Sequence, residues 1–159
     1  MSLKPNPEFM RRAITLATEN VHSAAGGPFA AVIVRDGHIV GEGVNTVTLT
    51  NDPTAHGEVN AIRNTCRSLA TFTLKGCEIY TSCEPCPMCL AAIYWARIDS
   101  IYYGNTAADA ARVDFADAFL YREIALPHEA RQIPSQRLLG EEALESFQAW
   151  RDSTTKVEF

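Results

Sequence analysis

The sequence predicts an α/β fold in which helices cover both faces of a mixed β-sheet. Three observations carry this: an amphipathic helix opens the chain, a strand-turn-strand unit follows, and apolar strands then alternate with helical segments. The opening helix spans residues 7 to about 24, with Phe9, Ala13, Leu16, Ala17 and Val21 returning to one face. Gly26-Gly27-Pro28 stops it. Residues 29–35 form a short apolar run of strand type, and Asp36-Gly37 is a two-residue hairpin turn into a second strand, 38–44. The polar stretch 45–55 is a connection. A helix from residue 56 to about 69 gathers Val59, Ile62 and Cys66, and 77–82 is the third strand. Pro85-Cys86-Pro87 opens the next helix, because a proline in a first turn gives up an N–H that has no partner there. Residues 98–103 are the fourth strand. Beyond Gly104 the pattern predicts a helix over 107–121, a short strand over 133–139 and a last helix over 141–153.

At 159 residues the chain is long enough for one domain, 1–159, with a real core. Apolar residues at 47% and charged residues at 21% are globular values. No apolar run approaches the length of a bilayer span, and no basic start leads into an apolar stretch, so the reading is cytoplasmic. Five cysteines then fit a reducing compartment, as ligands or core filler rather than bridges. The net charge of −5 and a pI near 5.3 argue against a protein that neutralises many phosphates. Small, uncharged or weakly basic substrates fit better.

Two segments bear chemistry: His56-Gly57-Glu58, and Cys83-Glu84-Pro85-Cys86-Pro87-Met88-Cys89. Catalytic zinc takes three protein ligands and keeps a fourth position for water. His56, Cys86 and Cys89 supply that count. Cysteines three apart share one side of a helix, and a helix N-terminus favours thiolates. His56 and Glu58 are two apart and would diverge on a regular helix, so both reach one ion only if it sits off the helix end. The metal is therefore expected between two helix N-termini. Cys83 also has ligand spacing, but Glu84 precedes proline and is pushed to extended geometry, which leaves Cys83 on the strand end. Glu58, not needed as a ligand, is free to move protons.

Simpler readings compete. The C-x-x-C could be structural zinc, which needs a fourth ligand that the sequence does not offer, or a redox dithiol. His22, His38 and His128 read as solvent-facing, and Cys66 and Cys77 as core. Tyr94, Trp95, Tyr102 and Tyr103 read as core by composition, and Asp114 and Asp117 as a solvated helix face.

The H-x-E…P-C-x-x-C pattern is the one that zinc deaminases of nucleobases carry. With Gly26-Gly27-Pro28-Phe29, the run Asn51 to His56, Tyr80 to Cys89, Ile93-Tyr94-Trp95-Ala96-Arg97 and Phe147-Gln148-Ala149-Trp150-Arg151, the chain resembles the cytidine-deaminase-like superfamily over nearly its whole length. Within it the chain is most similar to the bacterial guanine deaminases. The resemblance implies a three-layer α/β/α sandwich with a mixed five-stranded sheet. It also implies a zinc-dependent hydrolysis of guanine to xanthine and ammonia, and a homodimer whose C-terminal segment, about 141–159, swaps between subunits. By matching positions, Asn45 would hydrogen-bond the purine, Phe29 would stack on it, Asp117 would accept from guanine N–H groups, and Trp95 and Phe159 would line the pocket. Gly57 stands where the family has alanine, and Phe159 where it has tyrosine. Three alternatives remain: a deaminase of another small ring (cytosine, a triazine, a pterin), a tRNA adenosine deaminase, and an inactive zinc-binding partner subunit. The last is disfavoured by an intact Glu58.

Overall fold

A computed structural model describes residues 4–115 and 117–158. Helix α1 (Pro7–His22) starts under a cap in which the Asn6 side chain accepts from the Glu8 N–H. Strands β1 (Ala30–Arg35) and β2 (His38–Val44) form the expected hairpin. Its two turn residues, Asp36 and Gly37, have φ of 51° and 74°, the left-handed pair that such a turn requires. A short helix α2 (Val47–Thr50) interrupts the polar connection. Then follow α3 (Gly57–Ser68), β3 (Cys77–Cys83), α4 (Pro87–Trp95) and β4 (Ser100–Asn105). The sheet order is β2-β1-β3-β4, with β1 antiparallel to both neighbours and β3 parallel to β4.

Strand alternation divides the sheet between two helical layers. Val32, Val34 and Tyr80 face α1, where Ala13, Phe9 and Leu16 meet them. Ala31, Ile33, Cys77 and Ile79 face the other way, onto Ala61 of α3 and Ile93 of α4. Ile33, Ile79 and Ile93 are fully buried, each contributing about 1.5–3 kcal/mol, so this face holds α3 and α4 in place. The result is a three-layer α/β/α sandwich.

Among the described residues the sheet has four strands, not five. Residues 133–139 form no strand: Pro134 has no N–H for a ladder, and Ile133 and Leu138 stand 80% and 79% exposed. The helix expected over 107–121 is two helices, α5 (Ala107–Ala111) and α6 (Ala118–Ala125). Between them Asp114 adopts a φ of 69°, a left-handed conformation that aspartate tolerates and a helix does not. The last helix, α7 (Leu144–Asp152), lies within its expected range. Tyr94 and Trp95, read as core, are exposed on the end of α4, and Tyr103 is exposed on β4. The chain divides into two compact units, Met1–Ala118 and Phe119–Phe159. In the second, neither α6 nor α7 has a buried residue.

Strand β2 lies unusually close to α3. A Cβ at Gly43 would overlap the backbone of Ala61 and the Gly57 carbonyl, and one at Gly41 would overlap the Thr65 side chain. Gly43→Ala must therefore push α3 away from the sheet. Urea unfolding of this variant should show a loss of about 1–3 kcal/mol; wild-type stability would mean that the helix yields freely.

Candidate active site

Each metal-type side chain sits at a helix start. His56 is the N-cap of α3, with extended backbone, and Glu58 lies in its first turn. Cys86 is the N-cap of α4, Pro87 takes the first helical position, and Cys89 follows within that turn. The His56 Nδ1 lies 3.6 Å from Cys86 Sγ and 3.5 Å from Cys89 Sγ. All three ligand atoms fall within 4.8 Å of one another. A tetrahedral zinc with Zn–N of ~2.0 Å and Zn–S of ~2.3 Å needs an N···S edge of about 3.5 Å, so the donor set fits that ion. Among the described residues no fourth protein ligand joins the group. That matches an open, catalytic type of site and not a closed structural one.

Cys83 stays outside the group. Its Sγ lies 3.7 Å from the Thr106 carbonyl oxygen, and burial pushes its thiol up to about 11. Cys86 goes the other way, down to about 4. The hydrogen bond from Cys89 does most of this, against burial, and His56 adds to it. Cys89, hydrogen-bonded to Cys86 and buried near Glu58, is raised. His56 is raised by its bond to Cys86, against burial. Val59, Met88 and Ala92 wrap the two sulfurs in apolar surface.

Glu58 is 5% exposed. One of its oxygens, Oε1, lies 3.1 Å from the Thr81 hydroxyl, and the other, Oε2, lies 3.4 Å from Cys89 Sγ. Burial raises its pKa, while a bond from its own backbone N–H and then those from Cys89 and Thr81 pull it back. A carboxyl lifted towards neutrality is suited to accept a proton and return it.

Glu58, His56 and Cys86 open into a cavity of about 460 Å³ that Phe29, Asn45 and Asp117 also line, a volume in the small-molecule range. The Asn45 N–H donates to the Phe29 carbonyl at 2.9 Å, and Asn45 Oδ1 accepts from the Val47 N–H at 3.3 Å. Burial, then the Cys86 charge, raises Asp117, and His56 opposes them. Asp117 is thus a wall of the cavity and not the solvated helix face of the simpler reading. Trp95 does not line this cavity. It stands at the far end of α4, about 13 Å along the axis from the N-cap at 1.5 Å per residue, beside Ala91, Tyr94 and Arg97. Phe159 lies outside the described residues.

Gly57 has a physical reason to be glycine here. A Cβ would come within 2.9 Å of the Ala30 Cα and 3.1 Å of the Phe29 carbonyl oxygen, the same oxygen that Asn45 binds. The sequence reading missed Phe115, whose ring meets Phe29 edge-on at 4.8 Å and 88°, and Glu84, whose carboxylate accepts from the Ala107 N–H at 2.9 Å. It also missed Thr81. The signal for Thr81 was available: strand alternation puts it in one row with Cys77, Ile79 and Cys83.

Residues 3–105 match the family described as the cytidine and deoxycytidylate deaminase zinc-binding region. The chain belongs to this family. It is 53% identical to guanine deaminase of Bacillus subtilis over 95% of the chain and 97% of that protein. The X-ray structure of the Bacillus subtilis enzyme superposes with a TM-score of 0.95, covering 98% of this chain and 99% of that one at 51% identity. A tRNA-specific adenosine deaminase of Aquifex aeolicus is 43% identical over 48% of the chain and 50% of its own length. A guanine deaminase from Nitrosomonas europaea superposes at a TM-score of 0.68, with 25% identity over 92% of this chain and 75% of that one. The fold is accordingly the α/β cytidine-deaminase-like one, with a mixed sheet.

The two thiols can be separated by metal analysis of purified variants. Cys86→Ala should hold far less than one zinc per chain, whereas Cys83→Ala should keep about one. The reverse pattern would move the ligand to the strand end.

Proposed function

We propose that this chain is a zinc-dependent guanine deaminase that converts guanine and water to xanthine and ammonia. One observation carries the choice of ring. The Asp117 carboxylate lines the same cavity as Glu58 and the His56, Cys86, Cys89 group. Guanine presents N–H donors at N1 and the 2-amino group, which a carboxylate accepts, whereas adenine presents an acceptor at N1. The 53% identity to Bacillus subtilis guanine deaminase supports the same reading.

His56, Cys86 and Cys89 would hold the zinc, which when bound lowers the pKa of water to about 7 and so makes a nucleophile available at neutral pH. Glu58 takes the water proton and delivers it to the purine ring. The C2–O bond forms, Glu58 then carries the second water proton from the new C2 hydroxyl to the exocyclic amine, and the C2–N bond breaks as the amine leaves as ammonia. Phe29, braced edge-on by Phe115, stacks on the purine. Asn45 hydrogen-bonds it, and Asp117 fixes its donor edge.

The protein acts as a homodimer in the cytoplasm. Tyr94 and Trp95 on α4, and Ile124, Phe147 and Val157 in the second unit, are exposed apolar side chains that association would cover. The C-terminal segment, about 141–159, then crosses to the partner and closes its site, with the Phe159 ring as a cover. All five cysteines are free, as a reducing compartment requires, and no described helix is long and apolar enough to cross a membrane. The net charge of −5 suits a free nucleobase better than a nucleic acid.

Ammonia release measured across guanine, adenine, cytosine, their nucleosides and triazines tests the ring. Guanine should lead, and Glu58→Ala should keep its zinc but lose turnover by about two to four decades. Full activity in that variant removes the mechanism, and preference for another ring removes the substrate. Deleting residues 154–159 should cripple turnover if the tail is a cover, and an unimpaired truncation rejects it.

A further inference from the structure

Thr81 sits on β3, 1% exposed, paired with Ala31 of β1 and Tyr103 of β4. Its side chain belongs to the row that faces α3 and α4, where Cys77 and Ile79 are apolar core. A β-branched residue suits that place, but valine would satisfy the strand and the packing equally well. The hydroxyl is the part that needs explaining, because a buried hydroxyl without a partner is costly. Two oxygens are within reach: Glu58 Oε1 at 3.1 Å and the Cys83 carbonyl at 3.0 Å. A hydroxyl has one proton to give. Against two acceptors the bond to an ionised carboxylate is the stronger, so whenever Glu58 carries its charge the proton points at Oε1.

We propose that Thr81 is the positioning residue for Glu58: its hydroxyl pins Oε1 to the floor of the sheet and thereby fixes how the carboxylate meets the bound ring. This rests on the role given to Glu58 above. Glu58 stands in the first turn of α3, and its Oε2 lies 3.4 Å from Cys89 Sγ. With the Thr81 bond lost, the carboxylate keeps only the bonds from Cys89 and its own backbone N–H, and its last torsion, a broad and soft one, is less constrained. Proton transfer to a ring atom tolerates little of that freedom.

Thr81→Val removes the hydroxyl and keeps the shape; Thr81→Ser keeps the hydroxyl and removes the methyl. For Val we expect kcat to fall about 10- to 100-fold, the scale of a misplaced catalytic group. KM should stay within about twofold, with zinc content and thermal midpoint held. For Ser we expect most of kcat to return. Wild-type kcat in Val overturns the proposal, as does a Ser variant that falls as far as Val, since the methyl packing would then be what matters. Loss of zinc in Val also overturns it, placing the residue in support of the metal group instead. All variants are compared on whichever ring the wild-type chain turns over. A wild type silent on guanine but active on another ring thus removes the guanine reading and leaves the Thr81 comparison decisive.

Discussion

The meeting of two helix N-termini is the constraint from which the rest of this site follows. Helix starts carry unpaired N–H groups and the positive end of the helix dipole. With His56 and Cys86 as the two N-caps, both dipoles point at one small volume. A thiolate is favoured there, and hydrogen bonds from Cys89 and His56 drive Cys86 down to about 4 against its burial. Two sulfurs and an imidazole are also crowded together there in apolar surroundings. The helices cannot drift apart to relieve the crowding, because Ala61 and Ile93 are locked into the core beneath the sheet.

Strand directions bring other cavity-lining residues to the same end. Strand β3 runs towards Cys83 and feeds α4, so its carboxyl end is the metal end. β1 is antiparallel to β3, and its first residue, Ala30, therefore lies at that end. β2 turns back beside it, with Ala30 paired to Val44. Residues 29 and 45 are the next step of the same ladder, and the Asn45 N–H to Phe29 carbonyl bond of 2.9 Å extends it. Two residues sixteen apart in sequence are thus rigidly coupled by hairpin register. The glycine at 57 lets α3 come close beneath them, since a Cβ there would strike Ala30 and the Phe29 carbonyl.

Most of this was legible in the sequence, for local reasons. Asp36-Gly37 names its own turn, Pro87 names a helix start, and H-x-E with P-C-x-x-C names the metal group. What was not legible depends on contacts distant in sequence. No spacing rule says that Thr81 meets Glu58, because helix and strand are joined only by tertiary packing. The helix expected over 107–121 failed at Asp114, where one left-handed residue defeats a favourable composition. The reading of Tyr94 and Trp95 as core failed because large aromatic residues signal burial without saying against what. Residues 133–139 carried strand-type side chains but also Pro134, and a short run with a missing donor has little to hold it in a ladder.

The boundary of the family match bears on how chemistry and selectivity are divided. It covers residues 3–105, and so contains His56, Glu58, Thr81, Cys86 and Cys89. Phe115 and Asp117 lie beyond it, yet both line the cavity. The link between the two regions is short. Glu84, one residue after the end of β3, accepts from the first N–H of α5, and Thr106 with Asp109 closes a capping box on the same helix. The segment that carries Phe115 and Asp117 is therefore tied at its root to the strand that delivers the thiols. A common hydrolytic centre can keep its geometry while that segment changes which hydrogen-bonding edge it reads. In the role proposed for it, a carboxylate at 117 would select a donor edge, and an acceptor edge in its place would face unrelieved repulsion inside a half-buried wall. On this view kinship with adenosine deaminases and preference for guanine do not conflict, because they reside in different stretches of one chain.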